Sequence, residues 1–468
     1  MVSRREWMQG ALLGTAGTMG GVAMGGVATG SVPIGGSTSA AVDSLTPPDL
    51  SFLKHESLMN ADRLRFFMEQ AGIDVLVAAY PANVYYLSNH WPQSDRMGWQ
   101  HSGIAIFAKD PARPLAMVMR QFLYYYTHSP ESDFSNRLIF PFTAPLEGGA
   151  VGADGEPAAA PPRMKRVHDP ARISARDQQR IDSMAATEPV SADASWALRR
   201  ALRALGLEQA RIGIDDPALE PVLRERGLGR EIVRAENTLR RARLAKTETE
   251  IKLIRLAATQ NVLAGLAAAR AVRDLGSTRL LRARFFAEAA ARGNAGTYMV
   301  IDGTSTEVLD EPLRDGMAFS IDCVSTCRYY HGDFGRTVFF GEPAKEIRQA
   351  TTVIAKAWAD LRPQLKPGLR FSEIPPLGRE LLRRQGVTLN VSFTPHSVGL
   401  HHTDHPQASF LDPRVPEDLR LEVGTVLSVD CPALDAGLGA TTHLEDLMLI
   451  TAEGAEPLHP IPEAVLTV

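Results

Sequence analysis

The chain has 468 residues, 44% of them hydrophobic and 22% charged, with a formal net charge of -4. That is enough apolar material for two packed domains, and the slightly acidic balance excludes a general binder of polyanions, so nucleic acid is not an expected partner. Its 3 cysteines are too few for a disulfide framework, although a pairing among them stays open in an exported protein.

Residues 1–41 do not read as part of a folded domain. Arg4-Arg5 precede Ala11-Leu12-Leu13 and a Gly/Ala-rich, weakly apolar tract running to Gly30, and the small residues Thr38 to Ala41 offer a cleavage site. The pattern resembles a twin-arginine export signal and predicts a periplasmic or secreted product. Its many Gly and Thr argue against a membrane span, and its apolar tract argues against a disordered basic tail. No later stretch is long and apolar enough to cross a bilayer.

A first domain is expected over residues 42–235. Leu58, Leu64, Phe67 and Met68 recur at helical spacing between Ser57 and Ala71, Gly72 ends that helix, and Ile73 to Ala79 follows as a buried strand. Further strands are expected at Ser102 to Ala108, Leu115 to Met119 and Arg211 to Ile214, with a helix at Asp193 to Leu205, an alternation that reads as α/β. Ala144 to Arg163 is rich in Gly, Ala and Pro and reads as a surface loop or mobile insertion, with a lid or subunit contact as its functional version. Tyr124-Tyr125-Tyr126 and the His90 to His101 segment read as core and loop packing, with reach into a partner's cleft as the alternative.

A second domain is expected over residues 236–468. Thr247 can cap a long helix, with Glu250 completing the capping box. Helices are also expected at Thr278 to Arg292, Ala344 to Trp358 and Phe371 to Gln385. Asp322 ends the alternating run Met317 to Ile321, and Asp333 follows the turn-like pair His331-Gly332 before a second strand, Thr337 to Phe340. Two carboxylates on neighbouring strands repel and lose hydration, so a cation is expected between them. His396 beside Gly399, Asp430 at the end of Leu427-Ser428-Val429, and Glu445 within Thr442 to Ile450 extend the set. Asp322, Asp333, His396, Asp430 and Glu445 are oxygen-rich with one imidazole and suit a pair of hard or borderline divalent ions. Cys323 and Cys431 follow proposed ligands and should face away from them, and Cys323 with Cys327 lacks the second pair that structural zinc needs.

That ordered set resembles the pita-bread metallopeptidases, the family of Xaa-Pro aminopeptidases, prolidases, methionine aminopeptidases and the metal-free creatinases. The resemblance covers most of the chain from Ser57 onward, including Pro81 to Ser88 and the helix entry Leu244 to Ile251. It implies an α/β (α+β) architecture: an N-terminal creatinase-like α/β domain, then a pita-bread domain with a curved antiparallel-type sheet flanked by helices. It also implies a homodimer, a short peptide or small amide as substrate, and two divalent metal ions, manganese first, with zinc, cobalt or iron as alternatives.

Such cations lower the pKa of a shared water so that hydroxide attacks a polarised carbonyl near neutral pH. By similarity the five residues are the ligands, and Asp430, where the family usually has Glu, also helps deprotonate the water. Two histidines usual in peptidase members are missing: none lies between Gly303 and Pro312, and Thr403 holds the other position. His401 and His405 flank Thr403, would share a face of an extended backbone, and are the expected catalytic substitutes. The expected activity is that of an exported Xaa-Pro aminopeptidase or dipeptidase. The alternatives are a metal-dependent lyase like the dimethylsulfoniopropionate lyases, a non-peptidase amide hydrolase, or a non-catalytic binder.

Overall fold

The computed structural model describes residues 48–91, 97–99, 101–127, 137–165, 168–304, 306, 308–405, 418–434 and 439–468. The expected export signal over residues 1–41 lies outside them, as does part of the His90 to His101 segment.

The first half builds a six-stranded sheet from β1 (Val75–Ala78), β2 (Gly103–Ala108), β3 (Leu115–Arg120), β4 (Arg137–Phe142), β5 (Arg211–Ile214) and β6 (Glu231–Arg234), in the order β4-β3-β2-β1-β5-β6. β1 runs antiparallel to β2 and parallel to β5, so the sheet is mixed. Side chains alternate faces along each strand. Val75, Val77, Ile104, Ile106 and Val118 pack with Leu198 and Leu202 of the helix Ala194–Ala204. Leu76, Ala105 and Met117 point the other way, into a core that also contains Leu253, Tyr330, Val398 and Leu458. Apolar packing is therefore continuous across residue 235.

Residues 144–163 are more ordered than their composition suggests. Leu146 and Ala158 exchange a backbone hydrogen bond of 2.7 Å, bridges join Pro145 to Ala159 and Val151 to Pro157, and buried Glu156 pairs with Arg200 at 2.8 Å. A backbone ladder needs no apolar side chains, which is why composition alone does not reveal it.

The second half carries β7 (Ala295–Ile301), β8 (Ala318–Cys327), β9 (Tyr330–Phe339), β10 (Thr394–Ser397), β11 (Val426–Asp430), β12 (Glu445–Asp446), β13 (Met448–Ile450), β14 (Ala455–Pro457) and β15 (Val465–Thr467). They form two sheets, β12-β9-β8-β7 with β15 alongside β9, and β10-β11-β13-β14. Only Leu447 separates β12 from β13, so one short segment passes from the first sheet to the second.

The β8–β9 hairpin turns at Arg328 and Tyr329, with φ of 45° and 72°, and not at His331-Gly332. Two successive positive φ values match the right-handed strand twist of a tight hairpin. Gly332 lies inside β9 for another reason: a Cβ there would come within 2.6 Å of the Ala257 carbonyl oxygen, on the helix Glu248–Arg270. That helix begins with the expected capping box, Thr247 accepting from the Glu250 amide and Glu250 accepting from the Thr247 amide. Cys323, Cys327 and Cys431 are buried and unpaired, Cys323 against Phe334 and Cys431 against Val429 and Leu444.

Glu250 ties that helix to the sheet by accepting from the Tyr330 hydroxyl at 3.0 Å. Burial, opposed by nearby Lys246, raises its carboxyl to about 7. A carboxyl raised in the folded state contributes stability that is complete below its unfolded value of 4.5 and is lost as pH rises through 7. Glu250→Gln should remove that dependence. In urea titrations, wild type should lose on the order of 3 kcal/mol relative to the variant between acidic and mildly basic pH; parallel curves would refute the assignment.

Candidate metal centre

Strand register brings the acidic side chains together. Asp322 on β8 is paired with Gly335 on β9, Val324 with Asp333, and Glu445 on β12 with Gly335. Asp322 and Val324 share a face, so Asp322, Asp333 and Glu445 project toward the same side of the sheet. The second sheet supplies the rest. His396 on β10 is paired with Ser428 on β11, and Asp430 lies two residues beyond Ser428 on the same face.

His396 is the meeting point of the two sheets. Its Nε2 lies 3.6 Å from Asp333 Oδ2, 3.7 Å from Asp430 Oδ2 and 3.6 Å from Glu445 Oε1. Its Nδ1 donates to the His402 carbonyl at 3.2 Å, which fixes the tautomer and turns Nε2 toward the carboxylates. Asp333, Glu445 and His396 are buried, while Asp322 and Asp430 are partly exposed. All five residues singled out from the sequence thus lie in one cluster.

His401 and His405 do not join it. The chain bends from Gly399 to His402, so the alternation of an extended strand does not apply there. His405 instead bridges to Ser397 through its backbone and sets its ring edge-on to Phe371 at 4.9 Å, and burial lowers its imidazole to about 4. His401 lies in the field of Asp404, which ion-pairs with buried Arg243 at 3.2 Å and Lys246 at 3.4 Å and so pins the turn. The histidine delivered to the centre is His402, its Nε2 3.1 Å from Asp333 Oδ2.

Two further side chains were missed in the sequence. His443 Nε2 lies 3.1 Å from Glu445 Oε2. Its position two residues before Glu445 was the available signal. Tyr298 on β7, opposite Val324, presents its ring to His402 at 5.6 Å. Nothing in the sequence shows that β7 pairs with β8.

The charges show what the site lacks. Burial raises the Asp322 carboxyl well above the usual carboxylate range, and Glu445 and Asp333 raise it further. Burial opposes protonation of His402 and His443, yet Asp333 beside the first and Glu445 beside the second hold each imidazole at about 9. The carboxylates thus draw positive charge into the site. Asp322 Oδ1, Asp333 Oδ1 and His396 Nε2 are buried with no hydrogen-bond partner, although buried polar atoms are normally paired. Among the described residues, three ligand-type groups have donor atoms within 4.8 Å of one another: Asp333-His396-His402, Asp322-His443-Glu445 and His396-Asp430-Glu445. Orphaned donors and a mixed carboxylate–imidazole set fit divalent cations.

A second layer holds the donors in place. Buried Arg336 pairs with Asp446 at 2.5 Å and donates to the Glu445 carbonyl at 2.7 Å, while Trp358 Nε1 reaches Asp446 at 3.0 Å. Ser428 donates to Glu445 Oε1.

Residues 235–452 match the model of metallopeptidase family M24. The probable dipeptidase PepE of Mycobacterium tuberculosis is 27% identical over 264 residues, 54% of this chain and 68% of the relative. Among solved structures, the Xaa-Pro dipeptidase from Bacillus anthracis superposes with a TM-score of 0.60 at 17% identity, covering 87% of this chain and 99% of its own. Dipeptidase PepE from Mycobacterium ulcerans gives 0.58 at 18% identity, covering 90% and 100%. These likenesses carry the α/β architecture of the prolidase fold.

The exchange of His405 for His402 is directly testable. His402→Ala should lower kcat by about 100-fold or more, the scale of a lost general acid–base or charge-stabilising group. His405→Ala should stay within about 3-fold, because its ring packs on Phe371. The reverse ranking would contradict the placement.

Proposed function

We propose that this chain, whose residues 235–452 match the model of metallopeptidase family M24, is a member of that family and an Xaa-Pro dipeptidase or aminopeptidase working with two divalent cations. The observation that carries the proposal is the convergence of Asp333, Asp430 and Glu445 on His396, with Asp322 joining them beside Glu445 and with orphaned donor atoms. In this reading these five residues hold the cations. When bound, the cations supply Lewis acidity, polarising a carbonyl and making water acidic enough to lose a proton near neutral pH.

The remaining work falls to side chains. Among the carboxylates nearest His396, Asp430 is the open one, with 28% of its side chain exposed against 0% for Asp333 and 1% for Glu445. Burial and Glu445 raise its affinity for a proton. It is therefore suited to take a proton from water and pass it to the leaving nitrogen. A proline leaving group departs as a secondary amine and needs that proton. His402 and Tyr298 lie on the same side as Asp333 and offer N–H and O–H donors to a substrate carboxylate or developing oxyanion. The likeness to the Bacillus anthracis Xaa-Pro dipeptidase and to the probable dipeptidase of Mycobacterium tuberculosis supports a short substrate.

Metal-loaded protein should hydrolyse Ala-Pro at least about 10-fold faster in kcat/KM than Ala-Ala, the scale on which an apolar pocket discriminates side chains. Survival of Ala-Pro, Gly-Pro and a longer Xaa-Pro peptide while a sulfonium carboxylate is cleaved would replace hydrolase with lyase. Export through Arg4-Arg5 belongs to the same proposal. Lysine at both positions should leave the protein in the cytoplasm, and unimpaired export would remove that part.

A further inference from the structure

His443 is an imidazole that the five-residue set does not use. It is 7% exposed and belongs to the segment that leads into β12. Thr337 on β9 clamps its backbone, the hydroxyl accepting from the His443 amide at 2.9 Å and donating to its carbonyl at 3.1 Å. The ring then lies over Gly335. A Cβ at that position would come within 2.2 Å of the ring's Cδ2 and 2.3 Å of its Nε2, so the ring fills the space any other residue 335 would occupy. Gly335 is also the residue paired with both Asp322 and Glu445. The missing side chain thus opens a slot between two carboxylates, and His443 enters it. One donor atom from each of Asp322, His443 and Glu445 lies within 4.8 Å of the others, and Asp322 Oδ1 has no hydrogen-bond partner.

We propose that His443 is a sixth protein ligand, sharing one cation with Asp322 and Glu445, and that it biases the centre toward zinc, cobalt or iron over manganese. The inference rests on the two-cation reading above. Imidazole suits borderline ions such as zinc, whereas all-oxygen sets suit magnesium, calcium and manganese. With His396 serving Asp333, Asp430 and Glu445, His443 would place an imidazole at each cation. A role confined to holding Glu445 in position would weaken every divalent ion alike.

The test compares zinc and manganese binding to cation-free full-length protein, wild type against His443→Gln, by competition titration with elemental analysis. Zinc affinity at one of two sites should fall about 100-fold or more, beyond the loss typical of an outer partner, with manganese affinity changed less than about 3-fold. The cobalt-loaded variant should also show a shifted visible absorption band at that site. Equal losses for both metals, or no loss, would overturn the assignment of His443 while leaving the two-cation reading intact. Wild-type protein that binds no divalent ion would instead defeat that reading, and the inference with it. Thermal unfolding of the cation-free forms checks the fold; should His443→Gln fail to fold, the smaller His443→Asn carries the same comparison.

Discussion

Like-charge repulsion in a place that burial has stripped of water is the constraint on which the second half of the molecule depends. Asp333, Asp430 and Glu445 surround one imidazole, His396, and Asp322 stands beside Glu445 and a second, His443. A pair of like charges at 4 Å costs about 4 kcal/mol even at an effective dielectric of 20. Several such pairs rival the 5–15 kcal/mol, in round terms roughly the whole margin, by which a domain is stable. Asp333 and Glu445 raise the proton affinity of His402 and His443, which offsets part of this. Divalent cations held as proposed would relieve more of it and make the same groups a Lewis-acid centre.

The architecture reads as a device for enforcing that crowding. Three carboxylates come from one antiparallel sheet and His396 with Asp430 from another, so neither sheet holds the set alone. The two are locked together by the continuous segment from Glu445 to Ile450 and by Ser428 bonding Glu445, while Arg336 fixes β12 against β9 within the first of them. The turn bearing His402 is held separately, by Asp404 against Arg243 and Lys246. Arg243 and Lys246 precede the long helix Glu248–Arg270, and that helix packs on β8 and β9 closely enough to require Gly332. The apolar core running from Leu64 and Tyr86 to Val398 and Leu458 makes the first sheet a buttress for this whole arrangement.

Much of this was legible from residues. Each of the five cluster residues stands on a short apolar run, and a charged or polar group at such a position has few structural uses. The capping box at Thr247 and Glu250 and the buried strand at Val75–Ala78, expected within Ile73 to Ala79, were equally direct. What failed were inferences that needed a partner in space. His331-Gly332 looks like a turn, yet Gly332 is demanded by a helix more than seventy positions away in the chain, around Ala257. His401 and His405 looked co-facial, but a bend from Gly399 presents His402 instead. His443 was within reach of the same alternation rule that ties it to Glu445, whereas its slot depends on a glycine in another strand.

The most direct measurement is anomalous diffraction from crystals of metal-replete protein. The account predicts two peaks in the cleft between the sheets, one contacted by Asp322 and Glu445 and the other by Asp333 and His396, with Asp430 and Glu445 reaching between them. A cleft without bound metal at saturating divalent ion, or peaks only at surface carboxylates, would contradict it.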